Sequence, residues 1–508
     1  MNLRVAKRRI LHPLTAFKGV FPIGSFDNKG KKKIFRSNTI KIGMKETSVL
    51  AIALIVIMVV SVFAWLSVGT PSKPIIVQPV VNDPTTTPDP SQQALSPNRT
   101  LSPSKVQDVN TIFRNIISSV TDPIISTKPP GLIESNPNLT STVWKTVAAN
   151  AWQYFQAGNG VDRSTGLAKA SLTFPYFTDW DLGVYIQAII DANVTGLIGY
   201  DGDWGSNARL DKVLTFLETR EINATTHFPY WFYQTSDGKD YHTSSDVATG
   251  VDTVDTGRLF VALNNLKTFN SNFTQRVDNF VYNKSGNRSD YASLVPNLVN
   301  EANAPSLYGY YYVSGFASFF PQQLASVPNL IVNNMLKGSI VNTTEGISLP
   351  KASISCEPLL CSVFELNNSP QFTALAKQVY LAHEARFNAT GEYVAFSEGN
   401  TLTGFIYEWV VSPSGDVWKI VNNGESTYSN MNPIIFTKVS MSFLALYNTT
   451  FARSMAIYLE QNLPDSTSGY YAGADYNTPG TVNSILSIDS NSNGMILGAA
   501  RYAIKSNL

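Results

Sequence analysis

Six pairs of helical segments constrain the fold of this chain more than any other feature of the sequence. From about residue 143 onward, apolar residues recur at three- and four-residue spacing between Gly, Pro and Asn residues. The first members lie at about 143–156, 207–219, 272–281, 327–335, 371–387 and 449–461. The second members, richer in small and apolar residues, lie at about 181–193, 254–268, 314–325, 357–366, 433–447 and 491–505. The pattern predicts a mainly α fold, an (α/α)6 toroid in which the second members form the inner ring.

A β-hairpin insertion is predicted where the helical pattern stops, between residues 393 and 422. Residues 405–411 and 417–421 alternate between apolar and polar side chains and flank the turn sequence Pro-Ser-Gly-Asp at 413–416. We therefore expect two antiparallel strands just before the fifth inner helix.

An uncharged apolar run at residues 47–68 predicts one transmembrane helix. As a helix of ~1.5 Å per residue it spans roughly 33 Å, and it is longer than the ~7–15 apolar residues of a cleaved signal peptide. Residues 1–46 carry 12 Lys and Arg against two acids, which predicts a cytoplasmic segment in contact with the lipid bilayer. Everything beyond the span is then expected to be extracellular. A buried core helix is the alternative.

The predicted extracellular part begins with a stalk at residues 69–142, rich in Pro, Ser and Thr, with a short helix near 106–120. The helical domain follows at residues 143–508. Eleven Asn-x-Ser/Thr sequons after the span agree with an extracellular glycoprotein domain.

Charge and cysteine content exclude several classes of protein. The chain after residue 46 holds 26 Lys and Arg against 35 Asp and Glu, so we expect no nucleic-acid partner. Cys356 and Cys361 could form a local disulfide, but two thiols and four scattered His residues predict neither a metal site nor a cofactor. Residues 201–207 are similar to a calcium loop, but Lys212 stands where the closing glutamate is required, so we expect an acidic turn.

Acids and aromatic residues gather in the turns that lead into the predicted inner helices. If these helices run parallel, all six turns converge on one mouth of the toroid. Each acid could instead be a helix N-cap or first-turn residue matched to the helix dipole. The turns are at 179–183, 252–258, 308–312, 357–358, 430–438 and 489–493.

A mouth lined by carboxylates and aromatic side chains favours carbohydrate chemistry. Sugar rings stack on aromatic faces, and hydrolysis of a glycosidic bond requires one protonated acid and a second carboxylate. Trp180 and Trp409 are the candidate platforms. The motifs of serine hydrolases, P-loop proteins and zinc proteases are absent from the sequence.

The ordered motifs from residue 143 to 505 resemble a bacterial and archaeal family catalogued as a domain of unknown function. The resemblance implies a relationship to six-hairpin, glucoamylase-like glycosidases and to enzymes acting on β-linked glucans. The family's last inner helix usually carries a glutamate where this chain has Gly498. The matching motifs are Ala-Trp-x-Tyr-Phe at 151–155, Thr-Gly-Leu at 165–167, Trp-Asp-Leu-Gly at 180–183, Asp-Thr-Gly-Arg-Leu at 255–259, Tyr-Tyr-Tyr at 310–312, Glu-Pro-Leu-Leu at 357–360, Thr-Gly at 390–391, Phe-Ser-Glu-Gly-Asn at 396–400, Tyr-Glu-Trp at 407–409 and Asn-x-x-Ile-Leu at 493–497.

The sequence thus predicts a glycoside hydrolase or transglycosylase acting on cell-envelope or environmental polysaccharide. Glu398 is expected to be the acid or to position it, and Glu357 or Asp181 to be the base. Asp255 and Arg258 are expected to form an ion pair or to bind sugar hydroxyls. The other predicted substrate-binding residues are Trp180, Tyr311, Glu408, Trp409 and Asn493. The competing hypothesis is a non-catalytic glycan-binding module, which Gly498 favours.

Overall fold

The computed structural model describes residues 129–241, 252–283, 289–401, 404–422, 427–478, 481–485 and 487–506. The predicted cytoplasmic segment, the transmembrane helix and the stalk up to residue 128 lie outside these residues. Within the described part of the chain, no helix is long and apolar enough to span a bilayer.

The described residues include twelve helices of at least nine residues, and each corresponds to one predicted segment. The odd-numbered helices are the first members of the pairs and the even-numbered helices the second. The helices are α1 (Ser141–Trp152), α2 (Asp179–Val194), α3 (Ser206–Thr219), α4 (Thr253–Phe269), α5 (Thr274–Tyr282), α6 (Leu307–Phe319), α7 (Val327–Lys337), α8 (Cys356–Glu365), α9 (Pro370–Thr390), α10 (Thr437–Tyr447), α11 (Thr450–Asn462) and α12 (Ser490–Lys505).

Helix α6 differs most from its predicted position. It was expected at 314–325 but begins at Leu307, because the side chain of Ser306 accepts a hydrogen bond from the Gly309 amide and caps the helix. The tyrosines at 308–312, expected in the turn before the helix, are therefore in its first turns.

The even-numbered helices form a closed inner ring. Each contacts the next in the order α2, α4, α6, α8, α10 and α12, and α12 contacts α2 again. Helices α4 and α6 approach closely because glycines face each other: a Cβ atom on Gly315 would lie 2.0 Å from the carbonyl oxygen of Gly257. Each odd-numbered helix packs outside, so the predicted helical toroid is confirmed.

The two ends of the toroid differ in their connections. Inner helices pass to outer ones through short turns, as at Asn448 and Thr449 between α10 and α11. Outer helices pass to inner ones through long connections, which lie at the N-terminal ends of the inner helices and define the mouth. Loops positioned by a rigid scaffold commonly carry functional residues.

Ten short strands occur in the described residues, all of them in these long connections. The predicted hairpin is confirmed as β6 and β7, and a third strand, β5, pairs with β6 and begins at Glu398. The strands are β1 (Tyr176–Phe177), β2 (Tyr233–Gln234), β3 (Ile340–Asn342), β4 (Ser348–Pro350), β5 (Glu398–Thr401), β6 (Gly404–Val411), β7 (Val417–Asn422), β8 (Ile434–Phe436), β9 (Gly473–Thr478) and β10 (Thr481–Ile485).

The folded domain begins before residue 143, where the sequence predicted the stalk to end. Ile133 is fully buried, and its amide donates to the Glu460 carboxylate on α11 at 2.9 Å. Arg453 on the same helix donates to the carbonyl oxygen of Ile133 at 2.6 Å. Residues 132–136 are thus attached to the outer surface of the toroid.

Cys356 and Cys361 are both free and buried, so the local disulfide that the sequence allowed is not formed. Their positions on α8 place them in the apolar interior, where Cys is a common small apolar residue.

Candidate active site

A buried lysine joins two glutamates at the mouth. Lys438, in the first turn of α10, forms an ion pair with the Glu357 carboxylate, and its Nζ also donates to the backbone oxygen of Glu398 at 2.9 Å. Glu357 is in the first turn of α8 and has no exposed surface, whereas Glu398 begins β5 and is 8% exposed. The connection between α9 and α10 thus brings Glu398 next to a charge pair formed by two inner helices.

The buried position of Glu398 favours its protonated form. Burial raises its pKa to about 8, and the negative charge of Glu357 contributes, although Lys438 and a hydrogen bond from the Tyr308 hydroxyl oppose the shift. A carboxyl group in this state can donate a proton near pH 7.

Asp181 lies in the first turn of α2. Its Oδ2 accepts from the Thr178 amide at 3.0 Å in a capping box, and its Oδ1 accepts from the Ser490 hydroxyl at 3.0 Å. Burial raises its pKa to about 6, while these hydrogen bonds limit the shift. Asp181 is therefore a helix cap, as the simpler interpretation proposed, and also a carboxylate that titrates near neutral pH.

Asn491 connects the two halves of the mouth. Its side-chain amide donates to Glu357 Oε1, and its Oδ1 accepts from the Trp180 indole at 3.5 Å. The Trp180 ring meets the edge of Tyr311, with 6.0 Å between the ring centroids. Glu357, Glu398, Trp180 and Tyr311 thus belong to one contact network, in which Tyr311, predicted to bind substrate, has no exposed surface.

The predicted ion pair between Asp255 and Arg258 is not formed. Arg258 pairs instead with Glu365, at the end of α8, through two hydrogen bonds of 3.1 and 3.4 Å. Tyr311 donates to the same carboxylate at 2.5 Å, and the guanidinium also lies over the Trp180 ring. These contacts fix Trp180 and Tyr311 and leave Arg258 buried.

Asp255 lies among other acids at the rim. Burial raises its pKa well above the ordinary range, and repulsion by Asp252, the N-cap of α4, adds to the effect. The Asp255 side chain is partly exposed to solvent, so it is available for hydrogen bonds to a ligand.

Three aromatic rings flank Glu398 on the α6 side. Trp409 stacks on Tyr407 at 6.1 Å and meets the edge of Tyr308 at 6.1 Å between centroids. Tyr407 also pairs with Glu398 across β5 and β6. All three rings are partly exposed, so Trp409 lies where a sugar bound near Glu398 would find an aromatic face.

Glu408 and Asn493 hold the framework rather than face the mouth. Glu408 is fully buried and accepts from the amides of Ile434, at 2.6 Å, and Ser397, at 3.3 Å. Asn493 accepts from the Tyr470 amide at 2.8 Å and donates to the Tyr470 carbonyl at 3.0 Å. Because their polar atoms are occupied by backbone groups, we leave both out of the proposed substrate contacts.

Gly498 lies away from the mouth. A Cβ atom there would be 3.5 Å from Asp191 Oδ2 and 3.7 Å from Phe364 Cβ. Seven residues of helix, roughly 10 Å, separate it from Asn491. The missing glutamate therefore leaves the contacts of Glu357 and Glu398 intact.

Sequence reasoning missed Lys438, Asn491, Tyr308 and Glu365 as partners of the predicted residues. The first three lie in the turns predicted to line the mouth, but nothing in the sequence indicates which residues they contact. Among the described His, Cys, Asp and Glu residues, no group could hold a metal ion.

Comparisons with known proteins give one matching family and several similar solved structures. A family described as "Protein of unknown function (DUF3131)" matches residues 146–506. The chain is similar to the endo-β-1,2-glucanase of Talaromyces funiculosus in complex with sophorose, with 12% identity and a TM-score of 0.49 over 74% of this chain and 87% of that one. The endo-β-1,2-glucanase of Chitinophaga pinensis gives 12% identity and a TM-score of 0.47 over 72% and 93%. A candidate glucoamylase of Bacteroides caccae gives 15% and 0.48 over 71% and 93%. No curated protein sequence matches the chain.

Proposed function

We propose that this chain, which belongs to the DUF3131 family of proteins of unknown function, is a glycoside hydrolase or transglycosylase. The observation that carries the proposal is the position of Glu398, buried beside the ion pair of Glu357 and Lys438 and against the rings of Tyr308 and Tyr407, at the mouth that also holds Asp181. Burial raises the pKa of Glu398 to about 8 and that of Asp181 to about 6, so Glu398 is the more readily protonated of the two. Acid–base catalysis typically uses two titratable groups whose surroundings shift their pKa values apart, so that one donates a proton and the other accepts one.

In the proposed reaction Glu398 donates its proton to the glycosidic oxygen as the bond from that oxygen to the anomeric carbon breaks. Asp181 accepts a proton from the attacking water, or from a sugar hydroxyl in a transfer reaction, as the new bond forms. The rings of Trp409 and Tyr308 support the sugar beside Glu398.

Of the two candidate bases, Asp181 fits better than Glu357. Glu357 has no exposed surface and is held in an ion pair with Lys438. Asp181 is 8% exposed, and its hydrogen bonds come from uncharged groups, the Thr178 amide and the Ser490 hydroxyl. The negative charge of Glu357 instead helps to keep Glu398 protonated.

The dependence of kcat/KM on pH tests these assignments. We expect a bell-shaped profile that rises with an apparent pKa near 6, as Asp181 ionises, and falls near 8, as Glu398 loses its proton. The Glu357→Gln variant removes a negative charge beside Glu398, so its alkaline limb should move to lower pH. A profile without an alkaline limb in the parent chain, or an unchanged limb in Glu357→Gln, would contradict the role of Glu398.

The non-catalytic binding module loses its main support, since Gly498 is remote from the mouth. The proposed substrates are neutral polysaccharides of the cell envelope or the environment, because the aromatic rings and hydrogen-bonding carboxylates suit sugars.

Membrane anchoring and an extracellular domain remain part of this proposal, on the evidence of the basic leader and the uncharged run at 47–68. Protease added to intact cells should remove the chain beyond about residue 69 and leave a small basic fragment. Protection of the large domain would overturn this topology.

A further inference from the structure

Five partly exposed aromatic residues pack against one another apart from the apolar core of the described residues. Their ring centroids follow one another at 4.0 Å (Tyr241 to Tyr176), 4.9 Å (Tyr176 to Phe174), 5.6 Å (Phe174 to Phe232) and 4.7 Å (Phe232 to Trp231). We call these five residues the aromatic row. Contiguous exposed apolar surface of this kind commonly marks a binding site.

The aromatic row lies at the mouth. Tyr176 is in β1, two residues before Thr178 caps α2, and Trp231 and Phe232 directly precede β2. The segment before β1 hydrogen-bonds the residues that begin α12: Leu172 donates to the Ile488 carbonyl, and Ser490 donates to that of Ala170. The row is therefore connected to the ends of α2 and α12, which carry Asp181 and Asn491.

The row and the rings beside Glu398 belong to different parts of the mouth. Phe174 and Tyr176 are in the connection that leads into α2, and Trp231, Phe232 and Tyr241 are in the one that leads into α4, whereas Tyr308 is on α6 and Trp409 is on β6, before α10. Because α2 also carries Asp181, a linear ligand that contacts both Asp181 and Glu398 would have aromatic rings near each carboxyl group.

The charge of the chain favours a neutral ligand. Aromatic rows also stack nucleic-acid bases, but such sites need basic groups along the backbone path. After residue 46 this chain has nine more acids than bases, 35 against 26, and acids surround the mouth. Phosphate would be repelled, whereas an uncharged sugar polymer would not.

We propose that the aromatic row binds a distal stretch of the glycan whose scissile bond lies between Glu398 and Asp181. The inference rests on the proposed function and adds to it that the substrate is a chain long enough to extend from Glu398 to the aromatic row. Cleavage then occurs within polymers rather than on disaccharides.

The test compares long and short substrates in full-length variants. The probes are β-linked gluco-oligosaccharides of about two to ten sugars, with Trp231→Ala and Phe174→Ala as the row variants. Each should raise KM for the long oligosaccharides about three- to tenfold and leave kcat/KM for the shortest cleaved substrate unchanged. Tyr200→Ala is the matched control, since Tyr200 is an exposed aromatic residue in the α2–α3 turn at the other end of the toroid.

Equal effects on long and short substrates, no effect, or an equal effect of Tyr200→Ala would overturn the inference. Circular dichroism and thermal unfolding identify any variant that fails to fold, and Trp231→Leu then replaces it. If no glycan is cleaved, the proposed catalytic function fails, and affinity electrophoresis in gels that contain soluble β-glucan tests the aromatic row separately. If the β-glucan slows the migration of the parent chain and slows that of the row variants less, the row binds glycan without catalysis. If the β-glucan slows the parent chain and the row variants equally, the proposed role of the row is contradicted.

Discussion

The Glu398→Gln chain should cleave glycans about 10²–10⁴-fold more slowly than the parent chain while binding them equally well. A carboxamide has nearly the shape of the protonated carboxyl group that Glu398 presents at neutral pH, so the fold should be preserved. It cannot transfer a proton to the leaving oxygen. The measurements are kcat from product release and Kd from calorimetry with the same oligosaccharide.

Glu221→Gln is the control for this variant. Glu221 is exposed in the connection between α3 and α4, at the same end of the toroid, and should be dispensable. If Glu398→Gln weakened binding as much as turnover, Glu398 would be a substrate ligand and not the acid.

The Lys438→Met variant should lower the free energy of unfolding by about 3–5 kcal/mol. Lys438 is 2% exposed, and its removal would leave Glu357, which has no exposed surface, without its counter-ion beside Glu398. Burial alone would lower the pKa of Lys438, but the attraction of Glu357, Asp489 and Glu398 outweighs burial and raises it. Urea denaturation measures the loss.

The double variant Lys438→Met with Glu357→Gln should recover much of this stability, because it removes both buried charges. Lys267→Met is the matched control: Lys267 pairs with Asp278 at 2.6 Å, but the two side chains are 25% and 36% exposed, so the loss should be about 1 kcal/mol or less. A double variant no more stable than the sum of the single effects would show that the two groups do not interact.

Helix number and type were predictable because the information is local. The spacing of apolar residues reports which side of a helix is buried, and Gly, Pro and Asn mark where it ends. The hairpin of β6 and β7 was predictable from its alternation and its turn. Only the position of α6 was predicted wrongly. Its first turns are rich in tyrosine, which favoured a loop, and the sequence pattern did not identify Ser306 as the N-cap.

Contacts in the site were not predictable, because they depend on the direction of each side chain and on distant segments. Asn491 and Asn493 are two residues apart and so point about 200° apart around α12, which is why one reaches Glu357 and the other the Tyr470 backbone. Arg258 finds its partner at Glu365, more than a hundred residues away, rather than at nearby Asp255.

Glu408 illustrates the same limit. Its place in the Tyr-Glu-Trp motif suggested a sugar contact, yet neighbouring strand residues point to opposite faces. Trp409 remains partly exposed, while Glu408 turns inward to the amides of Ser397 and Ile434.

Product analysis tests the central claim most directly. The purified full-length chain is incubated at pH 7 with α- and β-linked glucans and cell-envelope polysaccharides, and new reducing ends and oligosaccharides are separated by chromatography. The account predicts products from at least one neutral polysaccharide with the parent chain and almost none with Glu398→Gln. A parent chain that binds a polysaccharide but releases no product from any glycan that it binds would contradict the enzymatic function and leave a binding module in its place.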